Sequence, residues 1–117
     1  MTQHFVLDKP LILDRLGGDE EIFAMMVDLY LQDVDNYVQA LSAALEAADS
    51  VTLSREAHTV KGLLATFSDD AGTETAYTIE QQSKAGDLSG MQTLVAQLQE
   101  HLLVLAKVLR SEFSPAR

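Results

Sequence analysis

One histidine of the chain lies among residues suited to phosphoryl chemistry. His58 is followed by Lys61 and Gly62 one helical turn later and by Ala65 two turns later. Residues three or four positions apart share a face of an α-helix. Imidazole is a nucleophile near neutral pH because one ring nitrogen then carries a free electron pair. The spacing alone is compatible with a phosphoryl-accepting histidine but favours an ordinary surface histidine.

The residues around His58 form a strip that is polar, then basic, then small. Ser54 and Arg55 lie one turn before the histidine, and Lys61 can place an ammonium beside a phosphoryl group and offset its charge. A glycine inside a helix costs about 1 kcal/mol relative to alanine. Gly62 therefore predicts a close approach at this point, made either by a neighbouring helix or by an external partner.

The elements that position this strip are predicted to be helices. No strand pattern occurs, and apolar residues recur at helical spacing. Glycines, and aspartates suited to helix starts, divide the chain into one short and four long helices. We place them at about 10–16, 20–48, 51–68, 71–85 and 88–111. An antiparallel four-helix bundle with a short extra N-terminal helix accounts for residues 1–117 as a single domain.

The helical spacing also predicts which side chains form the core. On the second helix these are Ile22, Met26, Leu29, Val34, Tyr37, Leu41, Leu45 and Ala48, with Phe23 and Met25 beside them; on the later helices they are Leu53, Ala57, Val60, Leu64, Phe67, Ala76, Ile79, Met91, Leu94, Leu98, Leu102, Leu105 and Leu109. His101 is predicted to be a solvated or boundary residue, and His4 to be incidental.

Composition excludes several classes of function. The formal charge is −10, which disfavours nucleic acids and anionic membranes as partners. There is no cysteine, so thiol chemistry and covalent haem attachment are excluded. The Glu-x-x-His pairs of di-iron bundles are missing, and a non-covalent haem held by His58 and His101 is disfavoured by Lys61. We expect no metal site, and neither a signal peptide nor a membrane span, hence a cytoplasmic protein.

A resemblance to a known family sharpens the interpretation of His58. The segment 57–62 reads Ala-His-Thr-Val-Lys-Gly and resembles the A-H-x-L-K-G signature of histidine-containing phosphotransfer (HPt) domains. The segment 16–21 resembles the start of that family's first long helix. Asp49 precedes the histidine helix at the family's usual distance, and Glu80 falls where the following helix carries a glutamate.

The resemblance implies a relay in two-component signalling. His58 would accept a phosphoryl group from an aspartate of a receiver domain and pass it to another, with Lys61 as the neighbouring cation and Gly62 leaving the ring accessible. Ser54, Arg55 and Ala65 would belong to the surface that binds receivers of response regulators or of a hybrid sensor kinase. The receiver would supply Mg²⁺, so the chain itself needs no cofactor. It is not expected to be an enzyme, since no nucleotide-binding loop occurs.

A second interpretation remains open. A degenerate bundle of the same family could bind a receiver as an adaptor without accepting phosphate. The chain also departs from the family pattern, most clearly after the histidine helix. Val60 replaces a leucine, Ser68 stands where glycine is common, Asp69 and Asp70 replace small residues, and Gly72 replaces a leucine. These changes concern the start and packing of the fourth helix and leave the face of His58 intact.

Overall fold

A computed structural model describes residues 5–113 and contains five helices and no strand in that range. The helices are α1 (Lys9–Arg15), α2 (Glu20–Glu46), α3 (Ser50–Thr66), α4 (Asp70–Lys84) and α5 (Met91–Phe113). The predicted all-helical fold is confirmed. The longer helices form a ring in which α2 and α4 each pack against both α3 and α5, while α1 lies against α2. The most extensive pair is α3 with α4, which positions the site described below.

Aspartates begin four of these helices. Asp8, Asp19, Asp49 and Asp69 are the N-cap residues of α1 to α4, and each accepts a hydrogen bond from a backbone N–H of the first turn. Such caps satisfy donors that have no partner inside the helix. At α3 the hydroxyl of Thr52 also donates to Asp49, and this bond is the main reason that the pKa of Asp49 is lowered. The predicted helix starts therefore rest on sound capping chemistry.

Two helices, α2 and α3, end two residues earlier than predicted, and a non-glycine residue in the left-handed conformation follows each of them. Ala48 has a φ of 51° and Ser68 a φ of 63°. The next residue then donates its N–H back into the last turn, from Asp49 to Ala44 and from Asp69 to Leu64. Glycine normally marks such an ending. Neither position is a glycine, so residue type alone did not predict these ends, although Ser68 stands where the family commonly has glycine. Ala48 is exposed at the helix end instead of belonging to the core.

The core confirms the predicted stripes of α3, α4 and α5 and corrects that of α2. Ile22 and Leu29 are 43% and 56% exposed, whereas Phe23, Val27 and Tyr30 are buried. The first half of α2 carries two adjacent apolar stripes, and helical periodicity cannot tell which one faces inward. The stripe that contains the aromatic side chains is buried, which removes the larger apolar area from water. The other stripe, which includes Met25, remains on the surface.

A buried histidine–carboxylate contact corrects the prediction for His101. This residue is only 6% exposed, and its Nδ1 lies 3.3 Å from Oδ2 of Asp69, which is also buried. The other oxygen of Asp69 accepts the N–H of Gly72, 3.0 Å away. A Cβ at Gly72 would lie 2.6 Å from Oδ2 of Asp69 and 3.1 Å from a methyl of Leu64. The unusual residues Asp69 and Gly72 therefore accommodate each other, with His101 as the third member.

Tyr30 closes the same part of the core from α2. Its hydroxyl donates to the carbonyl of Leu102 at 2.7 Å, and its ring packs edge-on against Phe67 with 5.6 Å between centroids. Burial, and then the nearby carboxylate of Asp69, raise the pKa of Tyr30. The phenol thus stays a hydrogen-bond donor that ties α2 to α5. His4 lies outside the described residues, and none of the helices in residues 5–113 is long and apolar enough to cross a membrane.

Candidate functional site

His58 lies on the outer face of α3, opposite its buried stripe. The neighbouring Ala57 and Val60 are fully buried against the core, so the helix is fixed from the inside. The imidazole side chain itself remains 66% exposed. A rigid helix thus presents an accessible ring to solvent, as the sequence predicted.

Glu80 of α4 lies beneath the histidine and binds two groups of α3. Its Oε2 lies 2.8 Å from Nδ1 of His58, and its Oε1 accepts from Nζ of Lys61 at 2.6 Å. Its side chain is only 8% exposed. A buried carboxylate is costly unless it is paired and hydrogen-bonded. Here each oxygen has a donor, so Glu80 can remain ionised below the surface.

The charge of Glu80 determines which nitrogen of His58 is available. The hydrogen bond from Lys61 is the main cause that lowers the pKa of Glu80, and the bond from His58 acts in the same direction. An ionised carboxylate only accepts hydrogen bonds, so Nδ1 of His58 must carry the proton in this contact. In the neutral ring the free electron pair then lies on Nε2. The site therefore presents a histidine in one tautomer, with its nucleophilic nitrogen directed away from Glu80.

The sequence drew attention to Glu80 through the family pattern alone and assigned it no role. A signal was nevertheless present in α4. Ala76, Ile79 and Ser83 are buried, and Glu80 lies on the same face between them. An acidic residue on the inward face of an amphipathic helix predicts a buried partner, because unpaired buried charges are rare.

Gly62 and Ala65 continue the face of α3 beyond His58. Both are exposed, and a Cβ at Gly62 would meet nothing within 4 Å. Of the two explanations offered for Gly62, close approach by a neighbouring helix is therefore excluded. Ala65 lies beside a groove of about 360 Å³ that Met26 of α2 also lines, and its carbonyl accepts from Arg15 at 3.3 Å. Open space extends along α3 on this side of His58.

Ser54 and Arg55 lie at the other end of the strip and differ in their surroundings. The hydroxyl of Ser54 donates to the backbone carbonyl of Glu80 at 3.1 Å, so it fastens α3 to α4. Arg55 is exposed. Its charge makes a smaller contribution than Thr52 to the lowered pKa of Asp49, which places the guanidinium towards the start of α3. Of these two side chains, Arg55 is the one that faces solvent.

The site contains no set of metal ligands. Within residues 5–113, no group of three or more His, Asp or Glu side chains converges as a metal site would require. His58 and His101 bind different carboxylates, one on the surface and one in the core, so the geometry gives no support to a shared haem. What the arrangement can do is hold one imidazole in a fixed tautomer with an ammonium close by.

Comparison with known proteins gives a consistent result. The sequence model of the Hpt domain family matches residues 25–107. The crystal structure of histidine-containing phosphotransfer protein B from Pseudomonas aeruginosa is similar in fold, with a TM-score of 0.83. The similarity covers 95% of this chain and 96% of that one at 21% sequence identity, a level at which it shows a shared fold. No curated protein matches the sequence.

Proposed function

Because the chain belongs to the Hpt domain family, we propose that it carries a phosphoryl group on His58 between aspartates of receiver domains. In this proposal residues 1–117 act as one domain, an antiparallel four-helix bundle without a nucleotide site of its own. The observation that carries it is the hydrogen bond from Nδ1 of His58 to the buried Glu80. That bond leaves Nε2 as the phosphoryl acceptor on the exposed side of the ring.

The transfer follows from the tautomer. The electron pair of Nε2 attacks the phosphorus of an aspartyl phosphate, the P–Nε2 bond forms, and the bond from phosphorus to the aspartate oxygen breaks. The leaving electron pair returns to the aspartate, which becomes a carboxylate. The imidazole becomes positively charged while Nδ1 keeps its proton. Glu80 already accepts that proton's hydrogen bond, so its negative charge offsets the charge that develops on the ring.

Lys61 supplies the second electrostatic contribution. Its ammonium lies on Oε1 of Glu80, on the same face of α3 as His58. A phosphoryl group on Nε2 brings negative charge close to this ammonium, and a charge-assisted hydrogen bond between them stabilises the product. The protein thus contributes position and local charge, while Mg²⁺ is expected on the receiver domain. We therefore propose a carrier rather than an enzyme.

The receiver is proposed to bind a surface that we call the docking face. It comprises Arg55, Gly62 and Ala65 of α3 with the exposed apolar residues Ile22, Met25 and Leu29 of α2. The groove beside Ala65 is lined by Met26 of α2 and by residues of α1, so α2 lies next to the histidine helix at this point. Exposed apolar side chains next to a site are typical of protein interfaces. Ser54, whose hydroxyl holds Glu80, is proposed to contact the partner only at the edge.

The partner's chemistry agrees with the charges near His58. The chain is acidic overall, with a formal charge of −10, yet Arg15, Arg55 and Lys61 all lie along the histidine face. Receiver domains present acidic side chains and an anionic phosphoryl group at their active end, which a basic face attracts. Such receivers work in the cytoplasm, where we expect this protein also to act.

The experiment that tests the function compares two phosphoryl donors. Purified wild-type protein, His58→Gln and Gly62→Leu are each incubated with a phosphorylated receiver and Mg²⁺, and separately with the small reagent phosphoramidate. Acid-labile, base-stable label is then measured. We expect wild type to be labelled by both donors and His58→Gln by neither. Gly62→Leu should be labelled by phosphoramidate alone, because only the receiver needs the open docking face.

Two results would contradict the proposal. Label on His58→Gln equal to wild type would place the phosphoryl group elsewhere. Receiver binding by wild type without any label from either donor would favour the adaptor, the alternative in which a degenerate bundle binds receivers and accepts no phosphate. Circular dichroism of each variant serves as the control for folding, and His58 and Gly62 are both exposed enough for substitution without loss of the core.

A further inference from the structure

Tyr77 of α4 is a large aromatic residue beside the proposed phosphorylation site, and it takes no part in the bond changes of the proposed transfer. It is 52% exposed and lies one helical turn before Glu80 on the same face of α4. The Nζ atom of Lys61 lies 5.3 Å from the centroid of its ring. That distance is within the range of a cation–π interaction. Tyr77 and Glu80 therefore hold the same ammonium from two adjacent positions of one helix.

Two contacts hold the ammonium of Lys61. A lysine side chain has four rotatable bonds and loses up to about 2 kcal/mol of rotamer entropy when it is ordered, so contacts that offset this loss favour a single position. The side chain of Lys61 is only 25% exposed, although it lies at the edge of an exposed site. The bond to Glu80 fixes the ammonium on one side, and the ring of Tyr77 covers another.

The two contacts respond differently when a phosphoryl group approaches. Glu80 is anionic and binds His58 as well, so it competes with the incoming phosphoryl oxygens for the ammonium. The ring of Tyr77 is neutral and attracts the cation through its π-face, without that competition. A lysine that rests on the ring can turn from Glu80 towards the phosphoryl group and still remain at the site.

We propose that Tyr77 is a positioning residue that keeps the Lys61 ammonium next to His58 while it turns from Glu80 towards the phosphoryl group during transfer. This inference rests on the proposed function, because it assigns a role within the same reaction. The bond formed on His58 is the same for either donor. With phosphoramidate as donor, the P–Nε2 bond forms while the P–N bond of the reagent breaks and ammonia leaves. Tyr77 affects the rate of this transfer by holding Lys61 where its positive charge offsets the negative charge of the phosphoryl group.

The test is a double-mutant cycle on the rate at which phosphoramidate labels His58. Tyr77→Leu removes the π-face, Tyr77→Phe keeps it and loses only the hydroxyl, and Lys61→Met removes the cation. We expect Tyr77→Leu to slow labelling by about two- to fivefold, which is the effect of an exposed cation–π contact. Tyr77→Phe should label at the wild-type rate. In the Lys61→Met background, Tyr77→Leu should have no further effect.

Three results would overturn the proposal. These are an unchanged rate in Tyr77→Leu, the same loss in Tyr77→Phe, and an equal loss of rate with and without Lys61. A second measurement does not depend on phosphorylation: the ε-methylene protons of Lys61 should be shifted upfield by the ring in wild type and Tyr77→Phe, and not in Tyr77→Leu. An upfield shift without any labelling of wild type would contradict the carrier function alone. Absence of the shift in wild type would contradict the role of Tyr77.

Discussion

Residues 5–113 contain two histidine–carboxylate pairs in very different surroundings. His58 meets Glu80 at 2.8 Å on the surface, and His101 meets Asp69 at 3.3 Å in the core. The side chain of His58 is 66% exposed, whereas that of His101 is 7% exposed. In both pairs the contact is made by Nδ1. Only at His58 does the accessible ring leave its other nitrogen open to a reagent, so exposure decides which pair supports chemistry.

The glycines beside the two pairs differ in the same way. Gly62, one turn after His58, faces open space, whereas Gly72 is enclosed by Asp69 and Leu64. One glycine leaves room for something outside the molecule, and the other leaves room for the molecule's own carboxylate. A glycine near a histidine–carboxylate pair can therefore admit an outside partner or accommodate a buried side chain, depending on what surrounds it. Substitutions at each pair should therefore affect different properties.

The largest expected effect comes from breaking the buried pair. His101→Leu leaves the carboxylate of Asp69 in the core without this partner, and loss of one member of a buried pair costs about 3 kcal/mol or more. We expect urea unfolding to show a free energy of unfolding lower by about that amount, while the folded protein still accepts phosphate. The control is His58→Leu, which should cost less, about 1 kcal/mol, because the carboxylate of Glu80 keeps its hydrogen bond from Lys61. Equal losses in the two variants would mean that burial does not distinguish the pairs.

A smaller effect is expected from adding one methyl group at each glycine. In Gly72→Ala the new Cβ would lie 2.6 Å from Oδ2 of Asp69, so the buried cluster must shift. Overpacking of this kind costs about 1–3 kcal/mol. In Gly62→Ala the new Cβ meets nothing, and the helix should gain up to about 1 kcal/mol. Thermal or urea unfolding measures both, and a stabilised Gly72→Ala would show that the cluster adapts more easily than its geometry indicates.

The smallest expected effect is a pH dependence at the exposed pair. Hydrogen bonds from Lys61 and then His58 lower the pKa of Glu80 in the folded protein, so ionised Glu80 contributes stability above its ordinary pKa of 4.5. That contribution is lost as the pH falls through the lower folded-state value. Glu80→Gln offers one carbonyl oxygen to two donors and should be less stable by about 1 kcal/mol at pH 6. The gap between the two proteins should narrow as the pH falls below 4.5, and a gap that widens in acid would contradict the assignment.

Much of the histidine helix could be predicted from the sequence. The single apolar stripe of α3 left His58 on the opposite face, and aspartates before α2, α3 and α4 marked their starts. The receiver-binding roles of Ser54, Arg55 and Ala65 remain predictions. These inferences depend on neighbours within one helix, where spacing alone determines which residues share a face.

The remaining features depend on contacts between helices and could not be predicted in this way. The predicted core face of α2 was wrong at Ile22 because two apolar stripes lie side by side in that part of the helix. Asp69, Gly72 and His101 each looked unusual or incidental alone, and only their packing shows that they form one cluster. Glu80 is a further example of a contact between helices, since the two side chains that it binds, His58 and Lys61, lie about twenty positions earlier in the chain.

The contacts of Glu80 also set the alignment of two helices. Ser54, His58 and Lys61 occupy successive turns of α3, and all three bind this one residue of α4. A slip of either helix by one turn would break all of these bonds together, so Glu80 also fixes the register of the helix pair. Substitutions on the outer surface of α3 leave this register unchanged. A substitution at Glu80 would alter the surroundings of His58 and loosen the alignment of α3 with α4 at the same time.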